Sequence, residues 1–252
     1  MDLQLSGKRV LVTGGTRGIG RAVVAAFLDE GAVVGFCARD PSEVATTQAE
    51  LGRRGTVTGS VVDVGEPVAL AAWVEESAQA YGGLDVVVAN VSALAIPDTE
   101  ENWQASLNVD LMHTVRLVRA ALPHLERSDA ASIVAVSSVS GRESDFASGP
   151  YGTAKTAIIG YVHGLALQLA PAGIRANTVS PGNTYFEGGV WASIEQGDPD
   201  LFSTALGLNP TGQMCTPEEV AAPVVFLASP QARRVSGTNF VVDGALTRGI
   251  QV

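Results

Sequence analysis

The chain has 252 residues, of which 46% are hydrophobic and 17% charged, a composition that can fill a large core and is unlike a disordered chain. Its formal net charge of −10 argues against a nucleic-acid partner, which normally requires a patch of Lys and Arg. No apolar run approaches the length of a membrane span, which excludes a membrane protein of the helical type. We expect one domain over residues 1–252.

Two cysteines, Cys37 and Cys215, are too few and too far apart in sequence to suggest a disulfide framework. The N-terminal segment lacks the basic start and long apolar core that are typical of a signal peptide. Both observations favour a reducing, cytoplasmic setting. His113, His124 and His163 lack the spacing around a helical Glu that marks a zinc peptidase, so the sequence predicts no metal site.

Seven apolar runs predict β-strands, and they begin at Arg9, Val33, Thr56, Leu84, Ser132, Ile174 and Thr238. Between most of them lie stretches with helical spacing, at 19–30, 67–81, 107–125, 151–169 and 217–227. Strands that alternate with helices are joined by right-handed crossovers and form a parallel sheet that is covered on both faces. The pattern predicts an α/β fold: a single doubly wound Rossmann domain with a seven-stranded, mainly parallel sheet.

The segment at about 183–216 departs from this alternation, because it is rich in Gly, aromatic and acidic residues and has weak periodicity. It follows the sixth strand at the carboxyl edge of the sheet, where open α/β sheets bind ligands. We therefore expect a substrate lid there. Phe186 and Trp191 are its candidate substrate contacts, and Ser140, after the fifth strand, is a third.

Glycines follow the first strand in "VTGGTRGIG", where Gly14, Gly18 and Gly20 stand at the joint with the first helix. Such glycines permit a tight turn and the close approach of a pyrophosphate, and free N–H groups at the helix start attract the anion. A glycine-rich loop between a strand and an amphipathic helix predicts a dinucleotide site.

The end of the second strand, "FCARDP", indicates which dinucleotide is preferred. An acidic residue at this tip would bind a free ribose 2′-hydroxyl, whereas Arg39 suits a 2′-phosphate, and Arg17 adds a second charge from the glycine loop. This favours NADP(H). Asp40 stands one or two residues late for the ribose role and keeps NAD(H) as the alternative.

Tyr151 and Lys155 stand four residues apart after Pro150, which suits the first turn of a helix. Residues at this spacing project to the same side, and a nearby cation favours the deprotonated form of a phenol. The pair is a candidate acid/base device. The same spacing also occurs on ordinary amphipathic helices, where the two side chains only pack or contact solvent.

With "TGGTRGIG" at 13–20 and "YGTAK" at 151–155, the chain resembles the short-chain dehydrogenase/reductase family over nearly its whole length. The resemblance implies that Asn108 and Ser138 complete a catalytic set with Tyr151 and Lys155. Tyr151 would exchange a proton with the carbonyl or alcohol oxygen, and Lys155 would assist it and bind the ribose. Ser138 would hold the substrate oxygen. Asn108 would hold a water that links Lys155 to solvent.

The resemblance also implies the cofactor contacts Gly14, Thr16, Arg17, Gly18, Ile19, Gly20, Arg39, Asp63, Val64, Asn90, Tyr151, Lys155, Pro181, Gly182 and Thr184. Two segments depart from the family pattern. After the fourth strand the usual N-N-A-G reads "ANVS", which keeps Asn90. After Pro181 and Gly182 the usual Ile and Thr are replaced by Thr184 and Phe186, so Thr184 is the candidate for their cofactor contact.

The expected function is that of an NADP(H)-dependent oxidoreductase that interconverts a carbonyl and a secondary alcohol on a small molecule. The chain looks most like the 3-oxoacyl-acyl-carrier-protein reductases, but its acidity disfavours docking of an acidic carrier unless Arg116, Arg119 and Arg127 form a basic patch. Apolar lid residues suggest an acyl, aromatic or steroid ketone. The alternatives are an NAD-dependent alcohol dehydrogenase of the same family and a non-catalytic cofactor sensor. Members of the family are commonly tetramers, so the resemblance implies a homotetramer.

Overall fold

The computed structural model describes residues 1–249, and residues 250–252 of the predicted domain lie outside them. Seven strands form one sheet in the order β3-β2-β1-β4-β5-β6-β7, and every neighbouring pair is parallel. The strands are β1 Arg9–Thr13, β2 Val33–Ala38, β3 Val57–Val61, β4 Val86–Ala89, β5 Ser132–Val136, β6 Arg175–Pro181 and β7 Asn239–Val242. The doubly wound parallel sheet that the alternation of elements predicts is confirmed.

The helices that follow these strands are α1 Gly18–Asp29, α2 Pro41–Leu51, α3 Pro67–Tyr81, α4 Glu100–Ala105, α5 His113–Leu125, α6 Pro150–Leu169, α7 Val190–Gly197, α8 Pro199–Gly207 and α9 Pro217–Ala228. A π-helical segment, Ser106–Met112, joins α4 to α5. Within residues 1–249, no helix combines the length and the apolarity that a membrane crossing requires.

Two hydrophobic cores cover the two faces of the sheet. Successive side chains of a strand point to opposite faces, so Val10 and Val12 of β1 enter the core formed with α1, α2 and α9. Leu11, between them, enters the core formed with α3, α5 and α6. Strands β4 and β5 are accordingly buried at every position, which explains why they are nearly continuous apolar runs rather than alternating ones.

The strand order reverses at β1, which has β2 on one side and β4 on the other. Because the connections leave β1 and β4 in opposite directions, a crevice opens at their carboxyl ends. Asn90, directly after β4, crosses this crevice: its Nδ2 donates to the carbonyl oxygens of Thr13 and Gly14, at 3.0 and 3.3 Å. The amide N–H of Asn90 donates to Thr13 Oγ1. These bonds fix the glycine loop relative to β4.

Helix α2, and helices α7 and α8 in the segment predicted as a lid, were not expected from the sequence. Helix α2 buries only Val44, Thr47 and Leu51, so its apolar stripe is too sparse for a clear helical pattern. It starts because Asp40 accepts hydrogen bonds from the N–H groups of Ser42 and Glu43. Helices α7 and α8 are short and pack mainly on each other, around a small separate core.

A buried carboxylate holds the amino end of the sheet together. Asp85, directly before β4, accepts hydrogen bonds from Arg9 Nε and Nη2, each at 2.8 Å, and from Ser128 Oγ at 2.6 Å. Burial acts to raise the pKa of Asp85, but the hydrogen bonds from Arg9 and Ser128 outweigh it and hold the pKa below its usual value.

We expect Asp85→Asn to lower the free energy of unfolding at pH 7 by about 2 kcal/mol, because it leaves the partly buried Arg9 without its buried counter-charge. The folded-state pKa of Asp85 is depressed, so its contribution is complete above the ordinary carboxyl pKa and disappears as the pH falls through the depressed value. The stabilities of the wild type and Asp85→Asn should therefore become more similar as the pH falls. Urea unfolding of both proteins between pH 7 and pH 3 measures this change.

The control is Asp29→Asn, which removes an exposed carboxylate that pairs with the exposed Arg54. Ion pairs of this kind contribute little, so this variant should unfold at nearly the wild-type urea concentration. Equal midpoints for Asp85→Asn and the wild type at pH 7 would show that the Arg9 pair does not stabilise the sheet.

Candidate active site

A cleft of about 690 Å³ lies along the carboxyl ends of the strands, a size suited to a small-molecule site. Every residue that the sequence predicted as a cofactor contact lines this cleft. Ser138, Phe186 and Trp191 line it as well, whereas Asn108 and Ser140 do not. Residues that are distant in sequence therefore meet in one place, as the strand order requires.

The glycine loop is shaped for an anion. Gly14 and Gly18 adopt the left-handed conformation, with φ of 73° and 51°, which favours glycine. A Cβ on Gly20 would collide with the carbonyl oxygen of Gly14, so this position requires glycine as well. The first turn of α1 contains no acidic residue, and the side chain of its N-cap residue, Arg17, makes no capping hydrogen bond. Its free N–H groups and the positive end of its dipole are therefore available to a phosphate.

Phe186 reaches from the start of the lid to the glycine loop. A Cβ on Gly18 would lie 2.6 Å from a ring carbon of Phe186, and one on Gly189 would lie 2.9 Å away, so the ring packs directly on both glycines. The sequence predicted Phe186 as a substrate contact, and the structure places its ring over the glycine-loop end of the cleft.

The rim of the cleft, near the glycine loop and the end of β2, carries both positive and negative side chains. Arg17 and Arg39 line the cleft, are exposed, and have no ion-pair partner within residues 1–249. Asp40 also lines it, but its Oδ1 accepts three hydrogen bonds, from Ser42 N–H, Ser42 Oγ and Glu43 N–H. These bonds lower the pKa of Asp40 and fix its carboxylate at the start of α2.

Tyr151 and Lys155 both begin α6 and face the cleft. Lys155 is 2% exposed, and its Nζ lies 5.6 Å from the centre of the Tyr151 ring. The same Nζ donates to the carbonyl oxygen of Val136 at 3.1 Å. The Tyr151 hydroxyl has no hydrogen-bond partner in the part of the chain that the structure describes, so it is free to meet a ligand.

Ser138 follows β5 and lines the same cleft as Tyr151. Its Oγ accepts the N–H of Ser140 at 3.1 Å, which leaves its own hydrogen free to donate into the cleft. The Ser140 hydroxyl instead donates to Asp145 at 2.6 Å. Ser140, which the sequence predicted as a substrate contact, thus orients Ser138 from outside the cleft.

Asn108 lies behind the cleft, on the π-helical segment. Its Oδ1 accepts Arg116 Nη1 at 2.7 Å, and its Nδ2 donates to the carbonyl oxygen of Gly65 at 3.3 Å. Arg116 is half-buried, and Asn108 holds one end of its guanidinium. Both ends of the Asn108 carboxamide thus have partners within the chain. The role of Asn108 in holding a water stays a prediction.

Two buried groups that the sequence did not suggest lie beside Lys155. Asp110 Oδ1 is 3.3 Å from Lys155 Nζ. His113 Nδ1 bonds to the carbonyl oxygen of Val109, so this nitrogen carries the hydrogen, and Nε2 accepts the Thr13 hydroxyl at 3.0 Å. Burial is the main cause that lowers the pKa of His113 to about 4, so the ring is neutral at pH 7.

The segment that the sequence predicted as a lid contains a small core of its own. Trp191, only 6% exposed, packs with Ala205 and Met214, and its ring makes an edge contact with Phe146 at 6.0 Å between centroids. Trp191 therefore supports the lid and lines the cleft at the same time. Among residues 1–249, no group of three or more His, Cys, Asp or Glu side chains is placed to hold a metal ion.

Comparison with known proteins identifies the relatives of this fold and site. A family model described as enoyl-(acyl carrier protein) reductase matches residues 14–247. Isoepoxydon dehydrogenase of Penicillium expansum is 41% identical, over 98% of this chain and 97% of that protein. The chain belongs to the short-chain dehydrogenase/reductase family. The family resemblance predicted from the two motifs is thus confirmed, and the chain is an oxidoreductase of CH–OH and C=O groups.

Solved structures agree with this assignment. L-Sorbose reductase of Gluconobacter frateurii, in complex with NADPH and L-sorbose, has a TM-score of 0.92 and 26% identity, with 99% of this chain and 100% of the other covered. A short-chain oxidoreductase of Pseudomonas aeruginosa PAO1, bound to NADPH and described as containing an atypical catalytic center, has a TM-score of 0.89 and 30% identity, with coverage of 96% and 98%.

For this short-chain dehydrogenase/reductase we expect Gly20→Ala to lower the free energy of unfolding by about 1–3 kcal/mol, because the added Cβ meets backbone rather than a flexible side chain. The glycine loop must then move, so the affinity for NADPH should fall as well. Thermal unfolding and quenching of Trp fluorescence by NADPH measure the two effects.

The matched control is Gly160→Ala on α6, where nothing lies within 4 Å of an added Cβ. This change should leave NADPH binding intact and stabilise the helix by up to about 1 kcal/mol. Wild-type affinity in Gly20→Ala would contradict the proposed anion site in the glycine loop.

Proposed function

We propose that the chain reduces a small ketone to a secondary alcohol, or oxidises the alcohol, with NADP(H) as the hydride carrier. One observation carries the proposal: the Tyr151 and Ser138 hydroxyls face the same cleft as the glycine loop and the start of α1. The nicotinamide of the bound cofactor supplies the hydride for reduction and accepts it in oxidation. The cleft thus combines a dinucleotide site with groups that bind and protonate an oxygen.

The protein's own part in the chemistry is proton transfer and orientation. Ser138 donates a hydrogen bond to the substrate oxygen and stabilises the negative charge that develops there. Tyr151 gives its proton to that oxygen during reduction and accepts one during oxidation. Lys155 places a positive charge beside the Tyr151 ring, which favours the phenolate that proton transfer creates.

Charge on the rim favours NADP(H) over NAD(H). Arg17 and Arg39 line the cleft and have no ion-pair partner within residues 1–249, and the guanidinium fork suits a phosphate. Asp40, the residue that would favour NAD(H), uses Oδ1 to cap α2. The solved relatives from G. frateurii and P. aeruginosa both hold NADPH.

The cleft walls indicate the class of substrate. Beyond Ser138 and Tyr151 they are mostly apolar, with Leu94, Val190 and Trp191 among the lining side chains. A compact ketone with one apolar face, aromatic or alicyclic, fits this lining, and its oxygen would point to the two hydroxyls.

We extend the proposal to a homotetramer in the cytoplasm. Leu167 on α6 and Phe240 on the edge strand β7 are exposed apolar residues, which an interface between subunits would cover.

Tyr151→Phe should reduce kcat for the ketone by about 10²–10⁴-fold, because it removes the general acid and leaves the ring in place. The dissociation constant of NADPH should change little. A panel of aromatic, alicyclic and acyl ketones, followed by NADPH absorbance, identifies the substrate and measures kcat.

Tyr161→Phe serves as the matched control, since the same change ten residues further along α6 removes a half-buried hydroxyl that does not line the cleft. It should retain wild-type turnover. Near-normal turnover in Tyr151→Phe would overturn the acid/base role of Tyr151.

Arg39→Asp should shift the ratio of kcat/KM for NADPH and NADH toward NADH by about 10–100-fold, since a charge-assisted hydrogen bond to phosphate contributes about 1.5–3 kcal/mol. Steady-state kinetics with each cofactor at saturating ketone give the ratio.

Arg53→Asp makes the same charge change at an exposed Arg that does not line the cleft, so it controls for net charge. An unchanged cofactor ratio in Arg39→Asp would mean that another residue recognises the 2′-phosphate, or that NAD(H) is the true cofactor.

A further inference from the structure

A buried carboxylate faces the ammonium of Lys155 from the opposite element. Asp110, on the π-helical segment, is fully buried, and its Oδ1 lies 3.3 Å from Lys155 Nζ. This oxygen has no hydrogen-bond partner within the described residues, so the contact is an ion pair whose geometry falls short of a hydrogen bond. The other oxygen, Oδ2, accepts the N–H of Ala93 at 3.1 Å. The backbone thus orients the carboxylate toward Lys155.

Other charged or titratable groups near Lys155 do not replace this carboxylate. His113 is neutral and bonds to Thr13, and Arg116 is a cation that bonds to Asn108. Tyr151 lies on the same helix as Lys155, and the remaining partner of the ammonium is the neutral carbonyl of Val136. Asp110 is therefore the only carboxylate in this cluster within residues 1–249.

Burial determines what this carboxylate does. An ammonium that is taken out of water without a counter-charge loses its proton near neutral pH, whereas an adjacent carboxylate favours the charged form. A neutral amine at this position would no longer favour the phenolate form of Tyr151. The ion pair also restricts the long Lys155 side chain, whose ammonium is held between Asp110 and Val136.

We propose that Asp110 is a positioning residue of the reaction, which keeps Lys155 charged and directed at Tyr151. The inference rests on the proposed function, because it assigns Asp110 a task only if Lys155 assists Tyr151. Asp110 does not itself line the cleft, so it acts through Lys155 rather than on the substrate.

The sequence contains only two lysines, Lys8 and Lys155, which makes a direct measurement practical. Protein labelled with ¹³C at lysine Cε gives two NMR signals, and Lys8→Arg assigns them. In the wild type, with and without NADP⁺, the Lys155 signal should keep the shift of an ammonium from pH 6 to pH 9. In Asp110→Asn it should change to that of an amine within this range, while the Lys8 signal stays unchanged.

The pH profile of alcohol oxidation gives an independent readout. In Asp110→Asn the rise of kcat with pH should move to higher pH by about one unit, so that kcat at pH 7 falls about tenfold. KM should change less than kcat. Asp85→Asn is the matched control, because it removes a buried, paired carboxylate at the other end of the sheet. It should lower stability and leave the profile in place.

The outcomes separate the two proposals. If Lys155 in the wild type titrates near neutral pH, or if Asp110→Asn leaves both the Lys155 signal and the pH profile unchanged, the role of Asp110 is overturned. The wild-type titration decides this even if Asp110→Asn does not fold. A wild type that binds NADPH but turns over no ketone or alcohol would refute the proposed function, while the NMR titration would still test the ion pair.

Discussion

Parallel pairing of β1 with both β2 and β4 is the constraint on which the site depends. Because all seven strands run in one direction, their carboxyl ends share one edge, and the reversal of strand order at β1 leaves a crevice there. The glycine loop, Asn90 and Ser138 each follow a different strand and meet at this edge. Asn90 then locks β1 to β4 through bonds to Thr13 and Gly14.

The parts of the fold that the sequence predicts are those whose cause is local or repeats along the chain. Strands β4 and β5 are buried on both faces, so each is a nearly continuous apolar run, and the glycine loop follows from backbone conformations that glycine favours. Helix α2 escaped prediction because its start depends on one capping side chain, Asp40, and its buried stripe is sparse. Helices α7 and α8 pack around Trp191, Ala205 and Met214, a core that joins separate parts of the segment and that local spacing does not predict.

The same distinction applies to the site. The pair of Tyr151 and Lys155 is four residues apart on one helix, so helical geometry alone places both on one side. The contact of Phe186 with Gly18 and that of Arg116 with Asn108 depend on how separate turns are placed, which spacing does not give. The sequence contains a weaker signal for Asp110, because its spacing places it on one helical stripe with His113, Thr114 and Leu117, all of which are buried. A carboxylate on such a stripe indicates a buried partner.

The net charge of −10 argues more strongly against binding of an extended polyanion, such as DNA, than against binding of a dinucleotide. At physiological ionic strength, exposed charges are screened over about 8 Å, so the acidic surface at large has little effect within the cleft. There the nearby groups matter most: Arg17, Arg39 and the start of α1 all line the cleft, where they would face the phosphates of a dinucleotide. A DNA backbone needs such groups repeated along a surface, whereas a dinucleotide needs them at two points. An acidic protein can therefore hold an anionic cofactor when its few unpaired cations line the site.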